Sequence, residues 1–132
     1  MTNRLSPEQI SKVLNRAIKK GLFKDNTSII FHDLTFLKNQ VENLISLFPQ
    51  NSLHAIAAKA NPLTWLLEYL MSFGVGCEAA TLGEVYLALK SGYVPSKIVF
   101  DSPAKTRDEL AFALANTLQI SEGVVPALDP SA

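Results

Sequence analysis

Apolar residues follow two different spacings along this chain, and the switches between them predict its secondary structure. Short apolar runs begin near residues 28, 54, 75 and 97, and each precedes a segment in which apolar residues recur every three or four positions. A short apolar run bounded by turn residues is typical of a buried strand, and the longer spacing is typical of an amphipathic helix. The pattern therefore predicts four successive βα units of a parallel sheet.

Capping residues sharpen the limits of these elements. We expect strands at Ser28–His32, at the run that ends on Lys59, at Val75–Ala79 and at Lys97–Asp101. The following helices should begin at side chains that accept hydrogen bonds from the first helical turn. These predicted caps are Asp33, Asn61 with Pro62 after it, Thr81 with Glu84, and Thr106 with Glu109.

The two ends of the chain lie outside this repeat. Residues 6–20 have helical spacing, a capping-box pattern at Ser6–Gln9 and a terminating glycine at Gly21, so they predict a separate helix. Residues 117–132 contain two prolines and no clear apolar run, which predicts an irregular tail without a strand. The expected organisation is a helical extension over 1–26, an α/β region over 27–116 and a tail over 117–132.

Composition narrows the functional classes. The 132 residues include twelve basic and twelve acidic side chains, and 48% are hydrophobic. The balanced charge does not favour a nucleic-acid partner or a membrane surface, and the longest apolar-rich stretch, 62–73, is too short to span a bilayer. A single cysteine excludes an internal disulfide, and no His or Cys cluster predicts a metal site. We expect a cytoplasmic globular protein.

Lys59 is the residue with the clearest chemical potential. It ends an alanine-rich apolar run, and side chains alternate along a strand, so Ala55 and Ala57 should lie on its face. Small side chains beside a lysine leave room for a flat ligand, and a desolvated amine can attack an aldehyde. The structural alternative is a lysine at a strand end that extends its ammonium into water.

The segment Ala57-Ala58-Lys59-Ala60-Asn61-Pro62 resembles the lysine motif of the fold type III, alanine racemase-like, pyridoxal-phosphate (PLP) enzymes, in particular the ornithine, diaminopimelate and arginine decarboxylase family. Flanking segments match in order from about Ser28 to Ala115, and residues 97–105 resemble the family's fourth strand and the loop after it. The resemblance implies a partial (β/α)8 TIM barrel of about four βα units over residues 27–116. The alternative fold is a small, complete doubly wound domain.

The resemblance also implies roles for individual residues. Lys59 would form the internal aldimine with PLP, and Ala57 would contribute to the cofactor site. Glu78 falls on a family aspartate that lies close to the lysine, where we expect it to pair with the ammonium and orient it for proton transfer. Cys77 replaces an aromatic residue of the family, and we interpret it as a buried apolar side chain. Glu84 matches a family glutamate, but its spacing from Thr81 favours a capping role.

The implied activity is that of a lyase, an amino-acid decarboxylase that acts as a homodimer in its full-length form. A (β/α)8 barrel needs about 250 residues, so we expect this chain to be a fragment with little or no activity alone. Two alternatives remain. One is an amino-acid racemase or a single-domain PLP-binding protein of the same fold. The other is a non-catalytic homologue that associates with a partner.

Overall fold

A computed structural model describes residues 5–25 and 28–120. The chain divides into two compact units, residues 1–40 and residues 41–132. The first unit contains an amphipathic helix and the start of a second, and the second unit contains a parallel sheet with its covering helices.

Five α-helices occur in the described ranges, and most begin where the sequence predicts. Ser6 and Gln9 form the expected capping box before the first helix, and the Asp33 carboxylate accepts a hydrogen bond from the Phe36 N–H at 2.9 Å before the second. Thr106 and Glu109 form a second capping box. The helices are α1 (Pro7–Lys19), α2 (Leu34–Ser46), α3 (Thr64–Met71), α4 (Leu82–Lys90) and α5 (Arg107–Ala115).

The sheet of the second unit has four parallel strands in the order β1-β2-β3-β4. Their bounds are β1 (Ala55–Ala57), β2 (Gly76–Ala79), β3 (Ile98–Phe100) and β4 (Gln119–Ile120). Consecutive strands along the chain are neighbours in the sheet, and α3, α4 and α5 form the connections between them. This is the repeating βα connectivity that the spacing of apolar runs predicts.

The two faces of the sheet have different surroundings. Cys77 pairs with Ile98 and Ala79 with Phe100, and all four side chains are fully buried. These residues form the core together with apolar side chains of the helices, among them Leu67, Val85, Ala88 and Ala113. The opposite face carries Ala57, Glu78 and Val99, which share one register position and are only half-buried. Only one face of the sheet is therefore packed as a hydrophobic core.

The predicted strand at Ser28–His32 is wrong. Residues 28–33 have no regular secondary structure, and Ile30 is 83% exposed. An apolar run becomes a strand only when a neighbouring strand completes its hydrogen bonds, and none of the described strands pairs with this segment. The run has the composition of a strand but lacks a partner.

The prediction of a tail without a strand is also wrong at its start. Gln119 pairs with Val99 and Ile120 with Phe100, so these residues form the fourth strand of the sheet. Residues 119 and 120 become a strand because the backbone N–H and C=O groups at the edge of β3 pair with them, although they have little apolar pattern of their own. Residues 121–132 of the predicted tail lie outside the described residues.

Two contacts hold the sheet and its helices at fixed spacing. A Cβ atom at Gly76 would lie 2.5 Å from the Lys97 carbonyl oxygen, so β2 begins where only glycine fits. On the helical side, the buried Tyr93 hydroxyl donates to the Leu67 carbonyl oxygen at 3.1 Å. This bond fixes the segment after α4 against α3.

Leu67 and Leu114 provide a matched test of the core. Leu67 in α3 is 1% exposed and Leu114 in α5 is 68% exposed. We expect Leu67→Ala to lower the free energy of unfolding by about 2–5 kcal/mol, because it removes buried methyl groups and leaves a cavity. Leu114→Ala should change it by less than about 0.5 kcal/mol. Urea unfolding followed by circular dichroism measures both, and equal effects would contradict the assigned core.

Candidate functional site

Lys59 lies at the carboxyl end of β1, as predicted, but not within the strand. β1 ends at Ala57, and Ala58–Ala60 form a single 3-10 turn that contains the lysine. Ala58 is fully buried while Lys59 is exposed, so the turn buries the alanine and leaves the ammonium in contact with water. The expected desolvation of Lys59 is therefore not observed in this structure.

Asn61 does not cap the next helix, contrary to the sequence prediction. Its N–H donates to the Ala58 carbonyl oxygen at 3.2 Å, and its backbone is extended, with φ −160° and ψ 97°. A residue before proline avoids the helical region, because the proline ring crowds its backbone. The chain remains extended through Leu63, and α3 begins at Thr64 without a side-chain cap.

Glu78 lies beside the strand that leads to Lys59. Its Cα pairs with that of Ala57 in the parallel register between β1 and β2, so the two residues are neighbours at the usual spacing of about 4.8 Å. Glu78 and Ala57 also share the half-buried face of the sheet. The structure thus brings a lysine, a small side chain and a carboxylate to one edge of two adjacent strands.

The turn after Glu78 is fixed by a second carboxylate. The Thr81 hydroxyl accepts a hydrogen bond from the Glu84 N–H at 3.2 Å, which makes Thr81 the N-cap of α4. The Glu84 carboxylate accepts from the Ala80 N–H at 2.6 Å, one residue earlier than in a standard capping box. Thr81 is therefore the predicted N-cap, but the capping box with Glu84 is not completed, and the Glu84 carboxylate instead holds the backbone directly after β2.

Cys77 faces away from Glu78 into the core, as its interpretation as an apolar side chain requires. Burial, together with the nearby carboxylates of Glu78 and Glu84, raises the pKa of its thiol from 9.0 to about 11, and burial is the largest of these causes. A thiol with this pKa stays protonated at neutral pH, so Cys77 is not a nucleophile there.

Residues 5–25 and 28–120 contain an open groove, but no metal-binding cluster and no membrane-spanning helix. An open groove of about 800 Å³ in the first compact unit is lined by residues 5–39, among them Val13, Phe31, His32 and Asp33, and does not include Lys59 or Glu78. Those residue ranges contain no group of three His, Cys, Asp or Glu side chains placed to hold a metal ion. None of their helices is long and apolar enough to cross a membrane.

Comparison with known proteins identifies the domain around Lys59. Residues 34–125 match the model of the family described as pyridoxal-dependent decarboxylase, pyridoxal binding domain. The chain belongs to this family. The match includes Lys59, Ala57 and Glu78 and extends across all four strands of the sheet.

Individual relatives give the same result. The diaminopimelate decarboxylase of Campylobacter jejuni is 36% identical over 90 residues, which cover 67% of this chain and 22% of the relative. The diaminopimelate decarboxylase of Aquifex aeolicus is 34% identical over 88 residues, which cover 67% of this chain and 21% of the relative. The chain thus spans about a fifth of the length of the curated relatives it matches.

Solved structures agree with the fold. The diaminopimelate decarboxylase of Helicobacter pylori complexed with L-lysine superposes with a TM-score of 0.67 at 27% identity, covering 79% of this chain and 28% of that one. The Paramecium bursaria Chlorella virus arginine decarboxylase bound to agmatine superposes with a TM-score of 0.70 at 25% identity, and the match covers 81% of this chain and 28% of that one. The predicted family, the partial TIM barrel and PLP as the family's cofactor are confirmed.

Lys105 is a buried lysine for which the sequence predicts no role. Its side chain is only 8% exposed, although it follows β3 in a loop. Lysine is seldom buried without a specific partner. The available signal was that residues 97–105 resemble a strand and loop of the family, but the pattern of apolar residues does not show that a loop lysine turns inward.

Ionisation of the Cys77 thiol makes the fold less stable as the pH rises through the alkaline range. Because its pKa is about 11 in the folded chain and 9.0 ordinarily, the unfolded chain loses this proton first as the pH rises. The contribution to stability is complete below about pH 9 and is lost between about pH 9 and pH 11. We expect the unfolding free energy of the parent chain to fall over this range more steeply than that of Cys77→Ala.

Urea unfolding at several pH values within that range measures the difference between the two proteins. The two proteins differ only at this side chain, so the difference between the curves gives the contribution of the thiol, including its effect on Tyr93, whose pKa is raised by burial and by Cys77. Parallel curves for the parent and Cys77→Ala would contradict the assignment of Cys77 to the buried face.

Proposed function

We propose that this chain forms part of the PLP-binding domain of an amino-acid decarboxylase, and that Lys59 is the residue that bonds to the cofactor. The observation that carries the proposal is the position of Lys59. It is the exposed lysine at the carboxyl end of a parallel strand, within a segment that matches the pyridoxal-binding domain. Parallel α/β folds carry their active sites at this edge.

The residues around Lys59 suit a flat aldehyde cofactor. The neighbouring face of β1 carries only the methyl groups of Ala55 and Ala57, both half-buried, which leaves space above the strand. The amine reaches solvent, so an aldehyde can approach it without rearrangement of the core. When bound, PLP would supply the electron sink for loss of CO₂ from an amino acid, and the protein would position the reacting groups.

We propose that the Glu78 carboxylate pairs with the Lys59 ammonium. A carboxylate on the adjacent strand attracts the ammonium form of the lysine, and this attraction would hold the side chain in place when it is not bonded to the cofactor. The same contact would orient a proton on Nζ for transfer. Ala57 pairs with Glu78 across the two strands, and its small side chain leaves the space beside the carboxylate open.

The wider assignments rest on the relatives. The curated diaminopimelate decarboxylases make diaminopimelate the first substrate to test, and the arginine decarboxylase bound to agmatine extends the candidates to other amino acids with a second amino or guanidino group. We also propose that the partial barrel domain begins at residue 27 and includes β4, which lies beyond the expected limit of residue 116, that residues 1–26 are an extension, and that the complete protein is a cytoplasmic homodimer.

PLP labelling tests the role of Lys59. Purified protein is incubated with PLP, reduced with borohydride to make the attachment permanent, and digested for peptide mass mapping. We expect the label on Lys59, and we expect Lys59→Arg to lose the protein-bound absorbance, because guanidinium does not react with the aldehyde. Lys90→Arg, an exposed lysine at the end of α4, is the matched control and should retain it.

The outcome separates specific from adventitious attachment. A label distributed over many surface lysines, with equal losses in Lys59→Arg and Lys90→Arg, would overturn the assignment of Lys59. That result would favour the alternative of a non-catalytic homologue.

The role of Glu78 is tested by the rate of attachment. An ion pair with the Glu78 carboxylate would hold the Lys59 side chain in place, and this contact must open before the amine attacks the aldehyde. Glu78→Gln should therefore speed the attachment of PLP to Lys59 at pH 7 by a few-fold, measured by stopped-flow absorbance. Glu68→Gln, an exposed carboxylate in α3, should leave the rate unchanged. An unaltered rate in Glu78→Gln would show that its carboxylate does not act on Lys59.

A further inference from the structure

The loop between β3 and α5 is fixed by an inward-pointing lysine. The Lys105 ammonium donates to the Ser102 carbonyl oxygen at 2.8 Å and lies 5.5 Å from the centre of the Phe100 ring. Phe100 is fully buried, so this cation is placed against the core at the carboxyl end of β3. Lys105 itself is 8% exposed. A buried ammonium with a carbonyl and an aromatic face as neighbours restrains the loop more strongly than a neutral side chain would.

Both ends of this loop are also held. At its start, the Asp101 N–H donates to the Ala79 carbonyl oxygen at 2.8 Å, which extends the pairing of β2 and β3 by one residue. In the middle, the Ser102 hydroxyl donates to the Ala104 carbonyl oxygen at 2.8 Å. At its end, Thr106 enters the capping box of α5. Lys105 connects these restraints, because its ammonium joins the loop to the last residue of β3.

The loop borders the site proposed above. Glu78 pairs with Val99, and Ala79 receives the hydrogen bond from Asp101. The loop therefore begins at the carboxyl edge of the strand next to the one that carries Glu78.

We infer that Lys105 is a positioning residue of the cofactor site: its buried ammonium holds residues 101–105 at the carboxyl edge of the sheet, beside Glu78, in the arrangement that accepts PLP. The inference rests on the proposed function and adds to it a residue that does not touch the reacting atoms. Lys105 acts through the backbone of the loop, which follows β3 beside the strand that carries Glu78.

The chain offers a matched control at the other end of the same strand. The Lys97 ammonium also donates to a backbone carbonyl oxygen, that of Gly74, at 3.2 Å, but it lies at the amino end of β3 and is exposed. Lys97→Met and Lys105→Met therefore remove the same kind of interaction from opposite edges of the sheet. Only the second should affect the site.

The experiment measures two properties of the parent chain and the variants: the affinity for PLP at Lys59, from borohydride trapping and peptide mapping, and the rate of amide hydrogen exchange in the peptide that contains residues 102–106. We expect Lys105→Met to weaken PLP binding by about tenfold and to speed exchange of the loop, because a hydrogen bond to a charged group is lost. Lys97→Met should change neither. Lys105→Arg should restore most of the affinity, since guanidinium can donate to the same carbonyl and lie over the same ring.

Several results would overturn the inference. They are an unchanged affinity in Lys105→Met, an equal loss in Lys97→Met, or a loss in Lys105→Arg as large as that in Lys105→Met. Should Lys105→Met not fold, Lys105→Gln, which keeps an N–H donor without the charge, is measured in its place and judged by the same criteria. A parent chain that is not labelled at Lys59 refutes the proposed function and this inference together, whereas a labelled parent with unchanged variants refutes the inference alone.

Discussion

The parallel register of β1, β2 and β3 is the constraint on which the rest of the second unit depends. Side chains alternate between faces, so the register that buries Cys77 and Ile98 beneath the helices also places Ala57, Glu78 and Val99 together on the other face. A shift by one residue would exchange the two sets and expose the core. The stability of the sheet and the composition of the candidate site are thus fixed by the same hydrogen bonds.

Features encoded by neighbouring residues were predictable from the sequence. The capping boxes at Ser6 and Thr106 and the cap at Asp33 need only contacts three residues apart, and all are present. The connectivity of β1, β2 and β3 followed from the spacing of their apolar runs. The position of Lys59 after an alanine-rich strand followed from the same reasoning, and the family match supports the chemistry inferred from it.

Features that depend on distant partners were not predictable in this way. Ser28–His32 has the composition of a strand but no partner strand, and Gln119–Ile120 has a weak pattern but pairs with β3. The exposure of Lys59 depends on a 3-10 turn that a regular strand pattern does not reveal. Lys105 is the clearest case, because only the folded loop shows that its ammonium meets the Ser102 carbonyl and the Phe100 ring.

Gly76 makes the amino-terminal and carboxyl-terminal edges of the sheet differ in how much their sequences can change. A side chain there would collide with the backbone oxygen of Lys97, which cannot rotate away as a side chain could. Sequence change at the amino-terminal edge is therefore limited to residues that leave the strand spacing intact. The carboxyl-terminal edge ends in loops held by individual side chains, each replaceable without moving a strand. A lineage built on this sheet could acquire new ligands by altering those loops, whereas position 76 would have to remain glycine.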